Sequence, residues 1–164
     1  MAGGFTIFPD RLDDFRNFLS SQIAEMRAGE EFVQEVKIDS IATIRSAKPE
    51  FVHMLNNSVG PFGVGNEEPL FLLQDARVYQ VDVLKEKHIR LMLSDSEGGS
   101  RMKAMFFSGV ETSLGDYLLK GGNGLSVHLT GRFQINNWQG RESVEFHVLD
   151  GMSVIAYNQQ QQAV

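Results

Sequence analysis

The 164-residue sequence contains no cysteine, which removes disulfide scaffolds and thiolate chemistry and fits a reducing cytoplasm. It has no run approaching the roughly 20 apolar residues that a membrane-spanning helix needs. Met1–Asp10 lacks the charged and apolar regions of a signal peptide. The four histidines, His53, His88, His128 and His147, are dispersed, and no Asp-His-His or comparable cluster accompanies them, so no metal-ligating or catalytic constellation is visible. Asp13 and Asp14 form the only adjacent aspartate pair, on the solvent side of a candidate helix. Excess positive charge is missing as well: a net charge of −6 argues against a strongly basic nucleic-acid binder. That acidity is uneven, because Phe71 to Gly151 carries ten acids against nine bases, so local charge placement must decide.

What is present suffices for a medium-sized domain: 42% of the residues are hydrophobic. Residues 60–69, "GPFGVGNEEP", are glycine-rich, but a phosphate cradle needs a strand before and a helix after, and here the order is reversed. Glu68 also stands where a dinucleotide fingerprint has its third glycine, and Glu67 precedes it. This stretch therefore reads as a shaped connector, with Phe62 as a plug in a hydrophobic seam and Asn66 in a tight turn. Upstream, Ser46 and Pro49 mark the opening of a helix on which Phe51, Leu55 and Val59 recur at helical spacing. Further upstream, "EEFVQEVKIDSIATI" reads as a strand, and Pro9 opens an earlier helix with Leu12, Phe15, Leu19, Ile23 and Met26 on one stripe that needs a cover.

From Leu70 to about Ala156 the pattern is β-rich. "HIRLML" alternates, with Ile89, Leu91 and Leu93 on one face and His88, Arg90 and Met92 on the other. "RMKAMF" does the same, setting Arg101, Lys103 and Met105 against Met102, Ala104 and Phe106; Phe107 cannot then also point inward. "TSLGDYLLKGG" is a short helix opened by Thr112 or Ser113 and stopped by Gly121 and Gly122. A two-residue turn at Gln139-Gly140 joins the last two strands and predicts Ile135 opposite Val144, Phe133 opposite Phe146 and Trp138 opposite Arg141. Arg132 with His147, Gln134 with Glu145 and Asn136 with Ser143 then share the other face.

The order β-β-β-α-β-β is that of an OB-fold, so the fold class is mainly β with flanking helices: a five-stranded barrel preceded by a helical interdomain segment. Such barrels bind oligonucleotides on the outer face of strands two and three and in two flanking loops. Lys85, Lys87, His88, Arg90, Arg101, Lys103, Arg132, Asn136, Trp138 and Arg141 fall there, supplying cations for phosphates and an aromatic plane for a base. Trp138 admits two readings, cross-strand packing against the Arg141 stem or base stacking. His88 and His147 read as surface or edge residues rather than ligands.

"LNNSVGPFGVGNEEPLF", followed by "HIRLMLSD" and "INNWQGRES", resembles the C-terminal region of RecJ-type single-stranded-DNA-specific exonucleases. The residues that carry the likeness are Pro61, Phe62, Gly63, Gly65, Asn66 and Pro69, then Asn136, Trp138, Gly140 and Arg141, with Glu67 where that family usually has proline. "AGGFTI" is similar to the close of the family's DHH-associated domain. The resemblance implies residues 1–29 as a remnant of that domain, 30–69 as an interdomain strand, helix and connector and 70–156 as the OB-fold; the polar, low-complexity residues 157–164 read from their composition as a disordered tail. It implies a single-stranded-DNA-binding module in DNA repair and recombination, without catalytic residues or a cofactor of its own. The Mn or Mg of the parent exonuclease would sit in a DHH domain that this sequence lacks. The implied partners are single-stranded DNA, the rest of the exonuclease chain and a single-strand-binding protein; the alternative is a protein-interaction module that docks the acidic tail of such a protein.

Overall fold

The computed structural model describes Gly4, residues 6–26 and residues 36–162. The chain divides into two compact units, Met1–Val36 and Lys37–Val164. In the first, Pro9 opens a 3-10 turn, Pro9–Arg11, which runs into helix α1, Leu12–Met26. Arg11 pairs with Asp14 at 3.1 Å and Arg16 with Asp13 at 3.3 Å, exposed contacts that add little. Leu12, Leu19, Ile23 and Met26 of the apolar stripe are exposed.

The second unit begins with strand β1, Ser40–Ala42, parallel to β2, Phe71–Leu84. The strand expected over residues 30–44 is thus short in the described part, and residues 30–35 of that expectation lie outside the described residues. The strand stops at Ala42 because Thr43 and Ser46 exchange side-chain and backbone hydrogen bonds in a capping box, which turns the chain into a 3-10 helix, Ile44–Ser46. Ser46 is committed there, so helix α2, Pro49–Ser58, starts instead from Lys48, with Pro49 in its first turn.

In the connector, the Asn66 side-chain amide donates to the carbonyls of Val59, at 2.8 Å, and Pro61, at 3.0 Å. Gly63 and Asn66 close a backbone bridge, and Gly65 takes a φ of +86° that glycine tolerates without strain. Phe62 is half-buried and the Gly60–Pro61 peptide is cis. This is the shaped turn that the sequence implies.

Five strands then form a ring in the order β2-β3-β4-β6-β5, returning to β2. They are β2, β3 (His88–Ser94), β4 (Arg101–Phe106), β5 (Ser126–Trp138) and β6 (Arg141–Ser153). This is the strand order of an OB-fold. Neighbours run antiparallel except β4 and β6, which run parallel over three residue pairs, Lys103↔Glu145 to Met105↔His147. The alternation follows the sequence pattern: Ile89, Leu91, Leu93 and Ala104 are fully buried and Met102 and Phe106 nearly so. The hairpin register also holds, with Ile135↔Val144, Phe133↔Phe146, Arg132↔His147 and Trp138↔Arg141 in line. Gln139 and Gly140 both have positive φ, as a two-residue turn of this hand requires.

Helix α2 is riveted to the ring by aromatic edges: the Phe51 ring lies 5.8 Å from Phe71 and 5.8 Å from Phe133, and Phe133 lies 5.1 Å from Phe146. Helix α3, Ser113–Gly121, buries Leu114 and Leu118 in the core and is capped by the Thr112 hydroxyl, which accepts from the Gly115 N–H at 3.0 Å. The final helix, α4, Val154–Gln162, occupies residues expected to form a disordered tail; His128 meets Tyr157 edge-on at 4.7 Å and helps to fix its first turn.

Two outcomes test this packing. A Cβ on Gly115 would overlap the carbonyl of Gly109, backbone that cannot swing aside, whereas Gly63 faces open space. Gly115→Ala should lower stability by roughly 1 to 3 kcal/mol while Gly63→Ala stays near neutral, measured by urea unfolding. Arg45 links the 3-10 turn before α2 to the β3–β4 loop, pairing with Asp95 at 3.0 Å and with Glu97. The hydrogen bond from Arg45 holds the Asp95 carboxyl below the usual carboxylate range, aided by the Gly99 and Ser100 N–H groups. A depressed folded pKa stabilises the folded state above the unfolded value and loses that contribution as pH falls through and below about 3.9. Melting temperature should therefore fall on acidification below about pH 4, and Asp95→Asn should shrink the fall; an unchanged slope in the variant would assign the acid sensitivity elsewhere.

Candidate nucleic-acid interface

The pairing registers set the outward side chains of the ring into cross-strand rows. One row reads Asp82, Arg90, Met105, His147, Arg132; the next reads Gln80, Met92, Lys103, Glu145, Gln134. A third brings Ser94 beside Arg101 on one side and Asn136 beside Ser143 on the other. The β2–β3 turn, with Lys85 and Lys87, flanks this face at one end. The β5–β6 hairpin, with Trp138 and Arg141, flanks it at the other.

Most of the expected cations face outward, but three of them are already occupied. Arg90 makes a fork onto the Asp82 carboxylate at 3.1 and 2.8 Å, and that hydrogen bond, helped by Gln80, holds Asp82 below its ordinary range. Lys103 pairs with Glu145, which also accepts from the Asn136 amide and is nearly buried. Arg132 donates to the Glu68 backbone carbonyl at 3.2 Å and stands 3.9 Å from the Glu68 carboxylate. The face is therefore close to neutral where sequence reading makes it basic.

Among the described residues, Lys85, Lys87, Arg101 and Arg141 form no ion pair. The guanidinium of Arg101 lies over the Tyr79 ring, 4.8 Å from its centre. Tyr79 is not among the sequence candidates: it sits at an irregularity in the β2–β3 register, between Val78 and Gln80, where the period-two pattern slips. Trp138 is 71% exposed and makes no ring contact among the described residues, so its indole is open to stacking. A hollow of about 480 Å³ at the hairpin is lined by Trp138, Gln139, Arg141 and Ser143.

His88 accepts the Ser108 N–H on Nδ1 at 2.9 Å and meets Phe107 edge-on, and Phe107 in turn meets His147 at 5.0 Å. Burial pushes the His147 imidazole below its ordinary value; the Glu145 charge opposes this and Lys103 reinforces it. Glu68, Gln134 and Phe107 likewise escape sequence reading as functional candidates. Glu68 gives a signal only as an interruption of a glycine pattern, and its partners lie more than 60 residues away. Among the described residues no group of three or more His, Asp or Glu could hold a metal ion. No described helix is long and apolar enough to cross a membrane.

The ring geometry agrees with comparisons to known proteins. Two crystal structures of RecJ from Thermus thermophilus share the fold. The Mg2+ complex has a TM-score of 0.58 at 20% identity, over 92% of this chain and 21% of that one. The Mn2+ complex has a TM-score of 0.56 at 20% identity, over 92% of this chain and 20% of that one. The chain thus spans about one fifth of the RecJ chains it matches, and the described residues offer no cluster fitted to the ions in those complexes. No curated protein matches the chain. The family model of the RecJ OB domain matches residues 38–150, well over half of the sequence, and the chain belongs to that family.

Proposed function

We propose that this protein is the single-stranded-DNA-binding module of a RecJ-like 5′-to-3′ exonuclease, which holds the strand while hydrolysis is carried out by a metal-bearing domain outside these residues. The observation that carries the reading is the open outer face, with the Arg101–Tyr79 pair in its third row, the exposed Trp138 at the β5–β6 hairpin and the unpaired Lys85 and Lys87 at the β2–β3 turn. Bases stack on aromatic planes whatever their sequence, and cations at intervals follow the phosphates. Because Arg90, Lys103 and Arg132 are neutralised within the fold, stacking contributes more of the affinity here, and binding is weak except at low ionic strength.

Oligonucleotide titrations over a range of salt concentrations separate the contributions. Arg101→Ala should reduce the magnitude of the salt slope, by roughly 0.7 for each phosphate that the protein no longer neutralises. Trp138→Ala and Tyr79→Ala should each cost about 1 to 3 kcal/mol with little change in slope. Asp82→Asn releases Arg90 and should tighten binding at low salt. Wild type that ignores single strands at low salt but binds an acidic peptide saturably would replace this reading with a protein-docking one.

A further inference from the structure

The parallel pairing of β4 with β6 ends at Met105↔His147. Beyond it the strands part, and a pocket of about 300 Å³ opens, lined by Glu68, Phe106, Phe107, Arg132, Gln134, His147, Val148 and Leu149. That volume is at the lower end of small-ligand sites, which suits one flat heterocycle rather than a length of chain. One wall is apolar, formed by Phe107 and Leu149, each about half exposed. The polar part of the lining, Glu68, Arg132, Gln134 and His147, has groups that are incompletely used. The Gln134 amide N–H donates to one Glu68 oxygen at 2.5 Å, which leaves the Gln134 carbonyl as an acceptor. The second Glu68 oxygen meets Arg132 only at 3.9 Å, and Arg132 commits its Nε–H to a backbone carbonyl, so its two terminal nitrogens remain as donors. Burial raises the Glu68 carboxyl above its ordinary range, and the Arg132 charge and the Gln134 hydrogen bond oppose it.

A carboxylate beside a guanidinium presents acceptors next to donors. Of the four DNA bases, guanine alone offers two adjacent N–H donors, N1 and N2, next to an O6 acceptor. Adenine and cytosine each offer a single amino group beside a ring acceptor, and thymine one N–H between two carbonyls. We infer that this pocket is a guanine-selective base site, with Glu68 accepting from N1–H and N2–H, Arg132 donating to O6 and Phe107 covering the ring; the inference rests on the single-strand-binding reading. The pocket shares its rows with the open face, since His147 and Arg132 continue the row of Arg90, so a strand lying across the face reaches it.

The test uses the full chain and oligothymidylates of roughly 12 nucleotides, within the span of one OB-fold, each with a single internal guanine, inosine or adenine. The guanine strand should bind about 5- to 100-fold more tightly than oligothymidylate alone. Inosine, which lacks the N2 amino group, should lose most of that advantage, and adenine should show none. Glu68→Gln and Phe107→Ala should each collapse the guanine-to-thymine ratio, while Asp116→Asn, on the far ion pair of α3, should preserve it. If a variant fails to fold, the inosine comparison on wild type still decides. Equal affinity for all strands overturns the base site and leaves the single-strand reading standing; no binding of any strand at low salt overturns both. Guanosine monophosphate that binds as tightly as the guanine strand overturns the strand site in favour of a free-nucleotide site.

Discussion

Ring closure between β4 and β6 is the constraint on which the rest depends. Four of the five seams in the ring are antiparallel and extended, but this one is parallel and only three residue pairs long. Parallel pairing between strands so far apart in sequence has no local turn to set it, so the seam relies on side chains. Lys103 and Glu145 lie opposite each other at its start, with Asn136 as the second donor to the carboxylate, and Ala104 stands opposite the buried Phe146 on the inner side. A short seam lets the ring close without flattening, and it also lets the strands separate just past it. The pocket is thus a by-product of closure, which is why its wall mixes core residues such as Phe106 and Val148 with polar ones.

Closure also decides the charge of the outer face. Glu145 could not neutralise Lys103, nor Glu68 approach Arg132, until strands distant in the chain were neighbours. Each such pair lowers the cost of crowding charge on a partly buried surface, and each subtracts from the attraction that a phosphate would feel. An overall acidic protein with a locally neutral face cannot gather DNA by long-range steering. On the proposed single-strand reading, affinity would come from shape and stacking, since Tyr79, Trp138 and Phe107 each leave ring surface accessible.

This distinction separates what is legible in the sequence from what is not. The period-two alternation places Ile89, Leu91 and Leu93 inside and Arg90 and Lys103 outside, and the Gln139–Gly140 turn fixes every pair in the last hairpin, because a two-residue loop permits one register. Element order then gives the ring. Ion pairing is not legible, since it depends on contacts such as Glu68 with Gln134 that span the fold. Tyr79 is hidden by the irregularity that turns its side chain outward, and β1 reads as longer than it is because nothing in its composition announces the Thr43–Ser46 box. Composition alone makes the glutamine-rich tail read as disordered, whereas a ring contact between His128 and Tyr157 supports the first turn of a helix.

The segment before the five-stranded ring is packed into it rather than a loose tether. Helix α2 contributes His53, which meets Glu142 at 2.9 Å and so braces the start of β6 beside the Trp138 hairpin. Its Phe51 wedges against Phe71 and Phe133, which ties the pose of the helix to the core of the ring. The connector that follows is held rigid by Asn66, and that rigidity lets Glu68 project onto β5 at a fixed place. Arg45 reaches the opposite side and pins the β3–β4 loop through Asp95 and Glu97. The match to the family begins at residue 38, before β1, and the same extent follows from these contacts: a ring cut at Leu70 would keep its five strands but lose Glu68 and the braces on the β3–β4 loop and the β5–β6 hairpin.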